Sequence, residues 1–82
     1  MKILFVKSAE KELLLLNKNL GQRIMLKIDL LKNDPYSQNS QKLEGSRGYR
    51  IRIGDYRAVY TIDKENKIIL IIKIGHRKEI YR

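Results

Sequence analysis

The chain opens on a short apolar run, Ile3-Leu4-Phe5-Val6, that ends at Lys7-Ser8 and reads as a strand. Ser8 then reads as a helix N-cap, with Glu10 and Glu12 near the first turn, where the helix dipole favours acids. Ala9, Leu13, Leu16 and Leu20 form a stripe of helical period, widened by Leu14 and Leu15, and Gly21 reads as its break. A second stripe of Ile24, Ile28 and Leu31, flanked by Met25, Leu26 and Leu30, ends at Asn33-Asp34-Pro35, because proline disfavours helix in the residue before it. The spacing predicts two short antiparallel helices.

Residues 34–48 are polar and read as a long connection. From Tyr49 the period changes to two. Tyr49, Ile51 and Ile53 alternate with Arg50 and Arg52, Gly54-Asp55 signals a turn, and Tyr56, Ala58, Tyr60 and Ile62 alternate with Arg57, Val59 and Thr61. After a second turn at Lys64-Glu65-Asn66, the run from Ile68 to Ile74 is nearly all apolar, as for a central strand buried on both faces. Gly75 to Arg82 reads as a turn with a short helical segment. The expected fold is therefore α+β, in the order β-α-α-β-β-β. The two-helix hairpin covers one face of a small, mainly antiparallel sheet, and the first strand joins at an edge. The other face is the surface left for function.

Eighty-two residues suit a single domain spanning 1–82. Cysteine is absent and histidine occurs once, which excludes disulfides, thiol nucleophiles and multi-histidine metal sites. Nothing suggests a signal segment or membrane insertion, so the expected location is the cytoplasm. Eighteen Lys and Arg against nine Asp and Glu give a formal charge of +9, which points to a polyanion or an acidic protein partner. Residues 1–41 carry seven basic and four acidic side chains, and residues 42–82 carry eleven and five. The excess is thus concentrated in the second half.

Arg50 and Arg52 are two apart on one strand and so share a face. With a two-residue turn at Gly54-Asp55, Ile53 pairs with Tyr56 and Arg52 with Arg57. Like charges directly opposite destabilise a sheet, unless an anion lies between them. Arg50, Arg52 and Arg57 therefore suit a phosphate clamp, while a solvated face of splayed side chains fits the same pattern. At the C-terminal end stands His76, of the one residue type suited to proton transfer near neutrality, and Tyr81 could orient or donate a proton. The structural alternatives are a surface histidine bonded to nearby backbone and an aromatic that pins the C-terminus. Tyr49, Tyr56 and Tyr60 read as core. The scattered carboxylates and the lack of a phosphate-binding glycine loop leave no metal centre and no cofactor site to expect. Metal-free chemistry on nucleic acid points to RNA, whose 2′-hydroxyl can attack the adjacent phosphate.

Three segments, Lys42-Leu43-Glu44-Gly45, Tyr49 to Tyr60, and Ile74-Gly75-His76-Arg77-Lys78-Glu79-Ile80-Tyr81-Arg82, resemble the RelE/ParE toxin superfamily, most strongly its RelE branch. The resemblance implies the toxin of a toxin–antitoxin pair, an endoribonuclease that cuts mRNA in the ribosomal A site without metal and leaves a cyclic phosphate. By position it implies RNA contacts from Arg50 and Arg52; Lys42 and Arg47 are further residues expected to bind RNA or phosphate. It implies phosphate stabilisation by Arg57, charge stabilisation and leaving-group protonation by Arg77, and base stacking or orientation by Tyr81. Where some relatives carry Lys at positions 50 and 52 this chain has Arg, which stays protonated to pH above ~12, so His76 becomes the expected base. The implied partners are an acidic antitoxin, the ribosome with its RNA, and mRNA, with DNA contacted only through the antitoxin. Two other readings stay open: a ParE-like inhibitor of DNA gyrase, and a basic RNA-binding module without activity.

Overall fold

The computed structural model describes residues 1–36, 40–43 and 48–80. The elements run β1 (Lys2–Phe5), α1 (Lys7–Leu14), α2 (Lys18–Leu30), β2 (Ser40–Lys42), β3 (Gly48–Ile53), β4 (Tyr56–Asp63), β5 (Ile68–His76) and α3 (Arg77–Ile80). They build one sheet in the order β1-β5-β4-β3-β2. β1 lies parallel to β5 at one edge and the remaining pairs are antiparallel. The α+β architecture with a helix pair on one face is as the periodicity predicts. Among the described residues, no helix is long and apolar enough to cross a membrane.

The helix boundaries shift for identifiable reasons. Val6 still belongs to the sheet through Val6 N–H to Ile71 O (3.0 Å), and its own carbonyl accepts from Glu10 N (3.0 Å). Val6 is thus the N-cap and Ser8 falls inside α1. The break between the helices lies at Leu15–Asn17 rather than at Gly21. Asn17 caps α2, its side chain accepting from Leu20 N at 2.9 Å, and this satisfies a donor that the helix start leaves open. Gly21 sits within α2, where an added Cβ would stand 3.8 Å from the Leu13 carbonyl, an ordinary contact distance. Leu14 and Leu15 do not widen the buried stripe; they are 75% and 77% exposed.

The connection before β3 contains an additional strand. Ser40, Gln41 and Lys42 pair with Ile51, Arg50 and Tyr49. Ser-Gln-Lys has little strand propensity of its own, so this edge forms because β3 offers unpaired backbone groups. The β3–β4 hairpin has the expected register, with Ile53 opposite Tyr56 and Arg52 opposite Arg57. Gly54 has φ of +61° and Asp55 has no positive φ, so glycine takes the first central position, as a type II′ turn requires.

β5 departs from expectation in two ways. It runs on through Gly75 and His76, and it is not buried on both faces. A bulge lies where Val59 pairs with Lys73 but Tyr60 pairs with Ile71, leaving Ile72 unmatched. Ile69, Ile71 and Ile74 keep to the core, while Ile72 and Lys73 are exposed. The Glu12 carboxylate accepts from Ile74 N beside the bulge (3.3 Å). The central strand is β4.

Ala9, Ile24, Ile28 and Leu31 of the helical layer meet Ile51, Ile53, Ala58, Tyr60, Ile69, Ile71 and Ile74 of the sheet in one core. Each fully buried Ile or Leu contributes about 1.5–3 kcal/mol of transfer free energy. Tyr60 is fully buried, and its hydroxyl donates to Pro35 O at 2.7 Å, which anchors the segment after α2. Tyr36, Tyr49 and Tyr60 follow one another as an edge contact and a stack.

Candidate functional site

Strand alternation sorts the basic residues by face. Arg50 pairs with Val59, and Val59 with Lys73; Arg52 pairs with Arg57, and Arg57 with Gly75. The two rows lie on the face opposite Tyr49, Ile51, Ile53, Ala58 and Tyr60, which the core occupies. Arg50, Arg52 and Arg57 are thus brought together on the helix-free face. Lys73 joins them, and the sequence reading missed it. Its signal was present: a single charge inside an apolar run.

Two of these arginines are held by neighbours. Arg50 donates through Nε (3.2 Å) and Nη2 (2.8 Å) to Oε1 of Gln41, its register partner on β2. Gln41 was invisible as a site residue because nothing in its local sequence predicts the strand that carries it. Arg57 donates through Nη1 to the carbonyls of Gly54 (3.0 Å) and Tyr56 (2.9 Å). Those carbonyl dipoles offset part of the repulsion between Arg57 and Arg52. Among the described residues, no carboxylate pairs with Arg52 or Arg57. Arg52 is exposed and also borders a cleft of about 400 Å³ between α2 and the hairpin, with Arg23 and Lys27 on its walls.

The C-terminal end meets the same turn. Arg77, the first residue of α3, donates its N–H to Asp55 O at 2.8 Å. Three successive carbonyls, Gly54, Asp55 and Tyr56, therefore accept from Arg57, Arg77 and Arg57. His76 is placed differently. It pairs with Tyr56, so by alternation it lies on the helix-side face, while its neighbour Gly75 is opposite Arg57. Its ring meets Tyr56 edge-on with centroids 5.5 Å apart, and its Nδ1 accepts from Lys78 N at 3.2 Å. Lys42 pairs with Tyr49 and likewise falls on the face away from Arg50. Arg47 and Tyr81 lie outside the described residues.

The arrangement suits a phosphate. The Arg57 guanidinium, fixed by neutral carbonyls, keeps donors in place with no competing carboxylate among the described residues, and planar forks match phosphate oxygens better than ammonium groups do. Among the described residues, no cluster of three His, Asp or Glu side chains is placed to hold a metal.

On the other side of the molecule, Leu13, Leu14, Leu16, Met25 and Leu26 line a groove of about 770 Å³ between α1 and α2. Leu14 and Leu26 are 75% and 68% exposed there.

Comparison with known proteins agrees with this fold. Residues 3–81 match the model of the ParE toxin of type II toxin–antitoxin systems. A protein named as the toxin RelE1 of Methanocaldococcus jannaschii is 36% identical over 59 residues, which are 67% of this chain and 66%, just under two thirds, of that one. The toxin in the crystal structure of the RelE–RelB complex from Pyrococcus horikoshii superposes with a TM-score of 0.81 at 32% identity, over 93% of both chains. Isolated Escherichia coli RelE superposes with a TM-score of 0.82 at 26% identity, over 98% of this chain and 89% of that one. The chain belongs to the ParE toxin family of type II toxin–antitoxin systems, and within the RelE/ParE superfamily to the RelE-like branch.

Proposed function

We propose that this toxin is an endoribonuclease that cuts mRNA in the ribosomal A site, acting in the cytoplasm and halting translation. The observation that carries the reading is the Arg52–Arg57 pair, with Arg57 fixed by the carbonyls of the turn that also receives the Arg77 backbone. In this scheme the 2′-oxygen attacks the adjacent phosphorus as its proton passes to water. The bond from phosphorus to the 5′-oxygen breaks, and that oxygen takes a proton from the Arg77 guanidinium, which water then restores. The products are a 2′,3′-cyclic phosphate and a 5′-hydroxyl. Arg57 and Arg77 stabilise the charge that grows on the phosphate oxygens; Arg50, Arg52 and Lys73 hold the flanking backbone, and Arg47 adds charge beyond them, while Lys42, on the opposite face, takes no part in this grip. Tyr81 stacks on or orients the substrate base. Guanidiniums supply the positive charge, so the step needs no metal.

Primer extension on programmed ribosomes is the test. Wild type is expected to give A-site cuts that persist in chelator and vanish when the attacking 2′-hydroxyl is replaced by hydrogen. Cutting of the deoxy substrate would sink the mechanism. The match to the ParE toxin model favours a second reading, inhibition of DNA gyrase. Loss of supercoiling with mRNA left intact would establish that reading instead.

The antitoxin partner follows from the RelE–RelB complexes among the structural relatives. We assign its seat to the α1–α2 groove, where exposed leucines lie on a chain of charge +9. An amphipathic segment with an apolar stripe and acidic flanks is the complementary chemistry.

A further inference from the structure

We propose that His76 is a positioning residue, which holds the β5–α3 junction so that Arg77 stays tied to the turn fixing Arg57, and which exchanges no proton in the reaction. Its functional consequence rests on the ribonuclease reading above; the hold itself is a property of the fold.

A base has to come within hydrogen-bond reach of the 2′-hydroxyl, which sits beside the phosphate being attacked. Arg57 and its register partner Arg52 mark the face on which that phosphate binds. His76 is opposite Tyr56, not Arg57, so its side chain leaves β5 towards the other face. There it makes two contacts with structural sense. The ring lies edge-on to Tyr56, with the two planes at 81°, and Nδ1 accepts the Lys78 N–H. The second contact satisfies a donor in the first turn of α3, as a capping side chain does. With Nδ1 so engaged, the neutral ring carries its proton on Nε2.

The residue between them is Arg77, whose N–H reaches Asp55 O (2.8 Å). His76 therefore clamps Arg77 from both sides in sequence: its ring fixes the end of the strand and its nitrogen fixes the next turn. Arg57 is held by the carbonyls either side of Asp55. The spacing of the two arginines is thus set by one turn, with His76 locking the second of them onto it.

Asparagine separates the two roles. Its Oδ1 stands the same number of bonds from Cα as Nδ1, so it keeps the acceptor for Lys78 and loses the titratable ring. Full-length His76→Asn and His76→Ala are compared by amide hydrogen exchange and by cleavage on programmed ribosomes. His76→Asn is expected to keep Arg77 and Lys78 amide protection, and kcat, within about threefold of wild type. His76→Ala is expected to lose about tenfold or more of both, with KM little changed. A kcat in His76→Asn as low as in His76→Ala, with amide protection retained, would show a proton-transfer role and overturn the proposal. Unchanged protection in His76→Ala would overturn it as well. If wild type leaves mRNA intact, the ribonuclease reading fails, and the amide exchange of the two variants alone decides the hold.

Discussion

Arg52 and Arg57 stand directly opposite each other across the Gly54–Asp55 turn, and Arg57 turns its guanidinium onto the carbonyls of Gly54 and Tyr56. A like-charge pair in this register weakens the hairpin unless something else offsets it. The turn carbonyls offset part of the cost and leave a cationic pair without an acidic partner among the described residues. That arrangement favours binding of an anion over stability of the free protein.

Removing one member should therefore move stability and activity in opposite directions. Arg52→Ala is expected to stabilise the free toxin by about 0.2–1 kcal/mol in urea denaturation. In the same variant, ribosome-dependent cleavage should fall about tenfold or more. A variant that loses both stability and cleavage would show that the pair is not strained.

Arg50 and Gln41 test the backbone-gripping role. Arg50→Ala should weaken RNA binding uniformly across sequences and reduce the salt slope by about one unit. Gln41→Ala should weaken binding less and leave the slope near wild type, because the charge stays while the two hydrogen bonds that help to orient it are lost. Titrations at several salt concentrations separate the two.

The helix groove should discriminate the antitoxin from RNA. Leu26→Glu alters a side chain that is 68% exposed, so folding should survive, as judged by circular dichroism and melting. Antitoxin affinity should drop by about 2 kcal/mol or more, as for a central interface anchor, with ribosomal cleavage unchanged.

Gly21 offers a stability test with a sign opposite to its usual meaning. It lies inside α2 with room for a Cβ at 3.8 Å from Leu13 O. Gly21→Ala should stabilise the fold by about 0.5–1 kcal/mol, read from the urea midpoint. Destabilisation would show that the helices cannot tolerate the methyl group.

Tyr60 predicts a pH dependence. Burial raises its hydroxyl above the ordinary value of 10.0. The unfolded chain ionises first, so this stability is full below about pH 10 and is lost as pH rises through the folded value. Tyr60→Phe leaves the Pro35 carbonyl unpaired and should cost about 1–3 kcal/mol at neutral pH. Denaturation at pH 8 and pH 10.5 should show a smaller alkaline loss in Tyr60→Phe than in wild type.

The arginine register was legible because strand period and turn length are local properties. Two residues between Ile53 and Tyr56 dictate which side chains face each other, and Gly54 supplies the backbone conformation that the turn needs. Gln41 was not legible. Ser40–Lys42 becomes a strand only when β3 presents an edge, and Arg50 then finds its acceptor there. The placing of His76 was hidden for a similar reason. Alternation carried to His76 depends on β5 continuing past Ile74, while Gly75 reads locally as a turn.

By itself, then, the sequence determined the helix pair, the meander, the concentration of charge in the second half and the arginines that share a face. These follow from periodicity and chain connectivity over a few residues. Only the tertiary structure decided that Leu14 and Leu26 stay outside the core, that β5 bulges to keep Ile71 and Ile74 both inside, and that Arg77 docks on the hairpin turn while His76 faces Tyr56. Those outcomes depend on which backbone groups distant segments leave unsatisfied and which volumes they leave to fill. No local pattern carries that information, because both are properties of the assembled sheet.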